Sequence, residues 1–130
     1  MSELSWPPQP TVLIADDNAQ NLELLQAMVE TLPVTIETAC DGVETLDHVT
    51  QRPPDLILLD AAMPRLSGYD VCRTLKADPA TCDIPVLIIT ALNDTRDAET
   101  ARESGADDFV KKPVTRVDLV ARVKVLLGLA

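Results

Sequence analysis

Two periods alternate along this chain. Short apolar runs recur at Val12-Leu13-Ile14-Ala15, Leu56-Ile57-Leu58-Leu59 and Val86-Leu87-Ile88-Ile89, with a shorter one at Phe109-Val110. Runs of that length, bounded by turn residues, predict fully buried strands. Val34 to Ala39 adds a further strand. Between them the spacing becomes helical. Leu22, Leu25, Met28, Val29 and Leu32 share one face of a helix over about 18–31, which Asp17 or Asn18 can cap. Asp41-Gly42 turns into a helix carrying Val43, Leu46 and Val49, and Pro53-Pro54 ends it. A helix from about Gly68 to Lys76 turns Val71, Cys72 and Leu75 inward. The next, over about 95–104, has only Ala98, Ala101 and Thr100 to bury, and Gly105 suits its C-terminal cap. A last helix runs from about Thr115 to Leu127.

Five βα units in a row demand an α/β fold: a parallel sheet with right-handed crossovers and helices on both faces. At this length the expected architecture is a flavodoxin-like, doubly wound (βα)5 sheet of order 2-1-3-4-5. Two helices carry more. The fourth is weakly amphipathic, so it should be lightly held and easily shifted. The fifth is unusually apolar, with Val117, Leu119, Val120, Val123, Val125, Leu126 and Leu127. One stripe packs on the sheet; Val125 and part of the Leu119 side are left over. Scattered surface aliphatics explain that surplus as well as a partner or dimer surface does.

Composition narrows the picture. At 130 residues the chain is one domain, large enough for its own core. Residues 1–10, with three prolines, read as a flexible arm, and 11–130 as the folded domain. The net charge of −10 argues against direct binding to nucleic acid or anionic membranes, which need basic patches. Cys40, Cys72 and Cys82 are odd in number and lack metal-ligand spacing, so they read as free thiols in a reducing compartment. No stretch approaches transmembrane length, and Met1 to Pro10 lacks the apolar core of a signal peptide. A cytoplasmic location is expected.

The candidate chemistry lies where the apolar runs stop. The first run delivers Asp16-Asp17, the third Asp60, the fourth Thr90, and the last Lys111-Lys112-Pro113. Strand C-terminal ends are where parallel α/β sheets place their sites. Three acids, a hydroxyl and an ammonium would therefore converge on one sheet edge. Alone, Asp16 and Asp17 would read as helix caps. Beside Asp60, three carboxylates repel and raise one another's pKa, which a hard cation such as Mg²⁺ relieves. The set suits a divalent metal and a phosphoryl group.

The pattern resembles the receiver domain of two-component response regulators. The residues that carry the resemblance are Asp16-Asp17, the Asp60 to Gly68 loop, Thr90-Ala91, and Gly105 to Pro113, in this order and within roughly residues 11–127. The resemblance implies a phosphorelay acceptor rather than an enzyme acting on other molecules. Asp60 would be the nucleophile, taking a phosphoryl group from a histidine kinase or a phosphotransfer protein. Asp17 and Asp60 would ligate Mg²⁺ directly, Asp16 largely through water, and the Ala62 carbonyl would add a ligand. The family's catalytic lysine directly precedes proline and follows an aromatic by three, which selects Lys112 over Lys111. That Lys-Pro bond is often cis. Thr90 and Phe109 would form the switch, although Phe109 lacks the hydroxyl of the tyrosine many members carry there.

Further implications concern lifetime and partners. Ala62 and Leu92 cannot orient a hydrolytic water, and Ala91 leaves the phosphoryl pocket open to a donor. His48, the only histidine, is expected on the surface away from the acids. Partners would be the kinase, a downstream effector or output domain, and a homodimer through the fourth and fifth helices. Rival readings are a phosphorylation-independent receiver-like binding module, a Mg²⁺-dependent phosphohydrolase and a flavin carrier. The first usually lacks an acid or the lysine, and this chain keeps them. The second wants an acid at Ala62 and room for a cap. The third wants a Ser/Thr/Gly-rich phosphate loop after the first strand. A stand-alone receiver and a portion of a longer regulator both remain open.

Overall fold

The computed structural model describes residues 9–91 and 95–129. Five strands and five helices alternate: β1 Thr11–Ala15, α1 Ala19–Val29, β2 Thr35–Ala39, α2 Gly42–Gln51, β3 Leu56–Asp60, α3 Gly68–Ala77, β4 Val86–Thr90, α4 Thr95–Glu103, β5 Asp108–Lys111 and α5 Arg116–Leu127. The strands form one parallel sheet of order β2-β1-β3-β4-β5, the expected order. Every residue of β3 and β4 is buried, as solid apolar runs require.

Alternation along the strands splits the core in two. Leu13, Ile57, Leu59 and Ile88 face α2, α3 and α4, where Val49, Val71, Cys72, Leu75 and Ala101 meet them. Val12, Ile14, Leu58, Leu87 and Ile89 face α1 and α5, against Leu25, Val29, Leu119 and Val123. Side-chain caps fix the helix starts. Asn18 accepts from the Asn21 amide, Asp41 from Glu44 and Thr115 from Asp118, while Ser67 and Asp70 form a capping box. Gly105 follows α4 at φ +81°, where a side chain would be strained. At the far end of the sheet, Lys76 Nζ donates to Cys82 O, Ile84 O and Asp107 Oδ2, and the Val86 amide donates to the same Asp107 oxygen.

Several expectations need correction. Val43 is 59% exposed; Thr45, hydrogen-bonded to Asp41 O, takes the inward place on α2. Leu119 is fully buried, and the surplus of α5 is Val117 and Val125. That surplus does not lie beside α4. It lines an open groove whose far wall includes Thr31, just after α1. His48 is half-buried, with Nε2 2.7 Å from Glu37 Oε1 on β2, rather than a free surface side chain. Of the arm expected at 1–10, residues 1–8 lie outside the described residues; Pro10 O already accepts from the Thr35 amide at the sheet's start. The expectation for Leu92 also lies outside them.

Candidate functional site

Four strands end at the residues of the site. Asp16 follows β1 directly and is 3% exposed; Asp17, next to it, is exposed. Asp60 is the last residue of β3, also 3% exposed. Carboxylate oxygens of Asp16, Asp17 and Asp60 lie within 4.8 Å of one another. Burial pushes the Asp16 carboxyl above the usual carboxylate range, and the charges of Asp60 and Asp17 push the same way. The Asn18 amide, donating to Asp16 Oδ1 at 2.9 Å, and the Lys112 ammonium offset part of this.

Lys112 Nζ lies 2.8 Å from Asp60 Oδ1. The contact is an ion pair rather than an aligned hydrogen bond, and that buried oxygen accepts no hydrogen bond. The Lys112–Pro113 bond is cis. The Lys112 amide donates to Thr90 O, which ties the end of β5 to the end of β4. Lys111 is exposed.

Beside Lys112 opens a cleft of about 340 Å³, lined in part by Ala61, Ala62, Tyr69, Thr90, Ala91 and Lys112. Thr90 ends β4 and is 3% exposed. Its hydroxyl is hydrogen-bonded to the Tyr69 hydroxyl on α3. Phe109 on β5 is half-buried and packs against the same core that holds Tyr69, Ile88 and Ala101. The loop after Asp60 is pressed tightly to the strand end. A Cβ on Gly68 would sit 2.3 Å from Asp60 O, so only glycine fits there, and the Gly68 amide donates to Ala61 O. Ala62 is exposed beside the cleft.

Five of the sequence-selected residues thus meet at one end of the sheet: Asp16, Asp17, Asp60, Thr90 and Lys112. The pattern of apolar runs missed Tyr69. Its signal was present, because it is the chain's one tyrosine and directly follows Gly68. The reason Gly68 is a glycine was missed too; in sequence it reads as turn punctuation. The donors fit a divalent cation. They are hard carboxylate oxygens, gathered where burial already disfavours the charge of Asp16.

The family model for the response regulator receiver domain matches residues 12–124. The chain belongs to this family. Its place in phosphorelay signalling follows from that membership. The response regulator PleD of Caulobacter vibrioides is 44% identical over 115 residues, covering 88% of this chain and 25% of that protein. The receiver domain thus spans a quarter to a half of the length of the curated relatives it matches. Among solved structures, the signal receiver domain of a histidine kinase from Syntrophus aciditrophicus superposes with a TM-score of 0.88 at 38% identity, covering 92% of this chain and 90% of that one. The receiver domain of the sensor histidine kinase PA1611 from Pseudomonas aeruginosa PAO1 does so with a TM-score of 0.85 at 26% identity, covering 92% and 98%. That structure carries a magnesium ion in its active-site cleft. No described helix is long and apolar enough to cross a membrane.

Proposed function

We propose that Asp60 is the phosphoryl acceptor of this receiver and that the acids beside it hold Mg²⁺. The observation that carries the reading is the buried Asp60 carboxylate, with two other carboxylates within 4.8 Å and the Lys112 ammonium 2.8 Å away. One Asp60 oxygen bonds to phosphorus as the P–N bond of a phosphohistidine breaks, and the electron pair leaves with the ring nitrogen. A small acyl phosphate serves equally, its carboxylate leaving. Such a transfer needs positioning and charge neutralisation more than covalent activation. Asp17 and Asp60 are the direct metal ligands in this reading, with Asp16 acting through water and the Ala62 carbonyl completing the protein's share. Mg²⁺ held there would supply the neutralising charge on the acid side. Lys112, 2.8 Å from Asp60 Oδ1, stabilises the charge gathering on the transferred oxygens.

Thr90 turns its hydroxyl to a phosphoryl oxygen once Asp60 is modified, and half-buried Phe109 adjusts to the space that opens. Catalysis is confined to the domain's own phosphorylation and dephosphorylation. The partners are a histidine kinase or phosphotransfer protein upstream and an effector or output domain downstream, in a cytoplasmic pathway. The phosphorylation-independent alternative has no support in the site, which keeps the acids, the hydroxyl and the lysine.

Intact-mass spectrometry tests the assignment. With Mg²⁺ and acetyl phosphate the protein should gain one phosphoryl group, and chelation should stop the gain. Asp60→Asn should abolish it. Equal labelling of the wild type and Asp60→Asn would place the acceptor elsewhere.

A further inference from the structure

The Tyr69–Thr90 hydrogen bond belongs to no role assigned so far. It joins α3 to the end of β4 across 21 residues of sequence and is buried. Both side chains line the cleft that also holds Lys112 and Ala61. Tyr69 is 9% exposed, and its ring packs in the core cluster that contains Ile88 and Ala101. The ring therefore cannot swing away freely, and the hydroxyl stays where Thr90 meets it. The chain has one tyrosine, and the aromatic on β5 is Phe109, which offers no hydroxyl. Either hydroxyl can be the donor of this pair; where Thr90 donates, its single proton cannot serve Tyr69 and a phosphoryl oxygen at once. In a buried cleft, giving up a hydrogen bond is costly unless a better partner replaces it. An anionic phosphoryl oxygen is such a partner, since charge-assisted hydrogen bonds are roughly twice as strong as neutral ones.

We propose that Tyr69 is the latch of the switch: its hydroxyl holds Thr90 in the unphosphorylated arrangement, and Thr90 exchanges Tyr69 for a phosphoryl oxygen on Asp60. The inference rests on the roles given above to Asp60 and Thr90. Tyr69 is a positioning residue here; it acts on the switch through Thr90. A contact made only in the unmodified state opposes modification by its own free energy. Removing it should favour the modified state without touching the acids.

Tyr69→Phe removes one oxygen and keeps the ring. Titration with beryllofluoride in the presence of Mg²⁺, followed by calorimetry, should show binding tighter by about three- to tenfold, the factor for one net hydrogen bond. Mg²⁺ affinity alone should not change. In a Thr90→Ala background the same substitution should have no effect on beryllofluoride binding. A second readout keeps the hydroxyl at 69. With 3-fluorotyrosine in place of tyrosine, the chain gives a single ¹⁹F signal. That signal should move when beryllofluoride binds the wild type, and Thr90→Ala should move it in the same direction without ligand. Equal affinities, weaker binding by Tyr69→Phe, or a stationary ¹⁹F signal overturn the latch while leaving the receiver site intact. Failure of the wild type itself to bind beryllofluoride overturns the assignment of Asp60, and the latch with it.

Discussion

The two helices that follow the central strands β3 and β4 are anchored to opposite degrees. The β3–α3 junction is held at every step. All of β3 is buried, Gly68 fits against Asp60 O with no room for a methyl group, and Ser67 and Asp70 cap α3 reciprocally. Helix α3 then buries Tyr69, Val71, Cys72 and Leu75. The β4–α4 side starts from an equally buried strand, yet among the described residues α4 buries only Ala101, with Ser104 just beyond its end. A phosphoryl acceptor must be positioned to a fraction of an ångström, whereas a switch must have somewhere to go. In the proposed reading the same sheet supplies both by varying how much apolar surface the following helix anchors. The Tyr69–Thr90 hydrogen bond spans the two halves.

The largest effect should come from the charge that closes the acceptor side. Lys112→Ala removes the partner 2.8 Å from Asp60 Oδ1, and the rate of labelling by acetyl phosphate should fall about 100-fold, as for loss of one transition-state donor. Lys111→Ala should be nearly silent, because that side chain is exposed. Equal or reversed effects would assign the ammonium role to the wrong lysine.

Next in size is a direct attack on the stiffness difference. Gly68→Ala puts a methyl group against Asp60 O, and urea unfolding should show a loss of about 1–3 kcal/mol or more. Glu99→Gly, in the exposed face of α4, should cost about 1 kcal/mol at most and raise exchange only in its own helix. A global loss from Glu99→Gly as large as that from Gly68→Ala would erase the distinction.

The smallest effect should be one of sign. Folded Asp16 holds its proton more tightly than the unfolded chain does, chiefly because it is buried. The native state therefore binds more protons between the ordinary and the raised value. The stability contributed by that proton is complete below the ordinary carboxylate range and is lost as pH rises through the raised value. Asp16→Asn escapes the loss. At neutral pH without metal its Tm should rise by a few degrees, and the gain should vanish in acid, below the ordinary carboxylate range. Its stabilisation by Mg²⁺ should shrink. A thermal melt series over pH, with and without Mg²⁺, reads all three.

Much of this was legible in the sequence for a physical reason. A buried strand in a parallel sheet must be apolar throughout, so the polar residue that ends it stands out, and Asp16, Asp60 and Thr90 are each found that way. Lys112 was separable from Lys111 only through the resemblance to receivers. The sparse burial of α4 among the described residues was also legible, since a helix with little to bury shows it in its composition. What did not show were relations between distant residues. Nothing local says that the Tyr69 hydroxyl reaches Thr90, that His48 pairs with Glu37, or that the apolar surplus of α5 turns toward the α1 side. Periodicity gives the width of an apolar stripe but not which neighbour covers its margins, and Val43 was misplaced on that account.

Charge arriving at the end of β3 should be answered by the lightly anchored helix α4. Hydrogen exchange with and without beryllofluoride and Mg²⁺ measures this residue by residue. Protection should change across the end of β4, α4 and β5, while α3 beyond its first turn and the strand β3 stay constant. Changes confined to the loop after Asp60, with residues 95–111 unaltered, would contradict it.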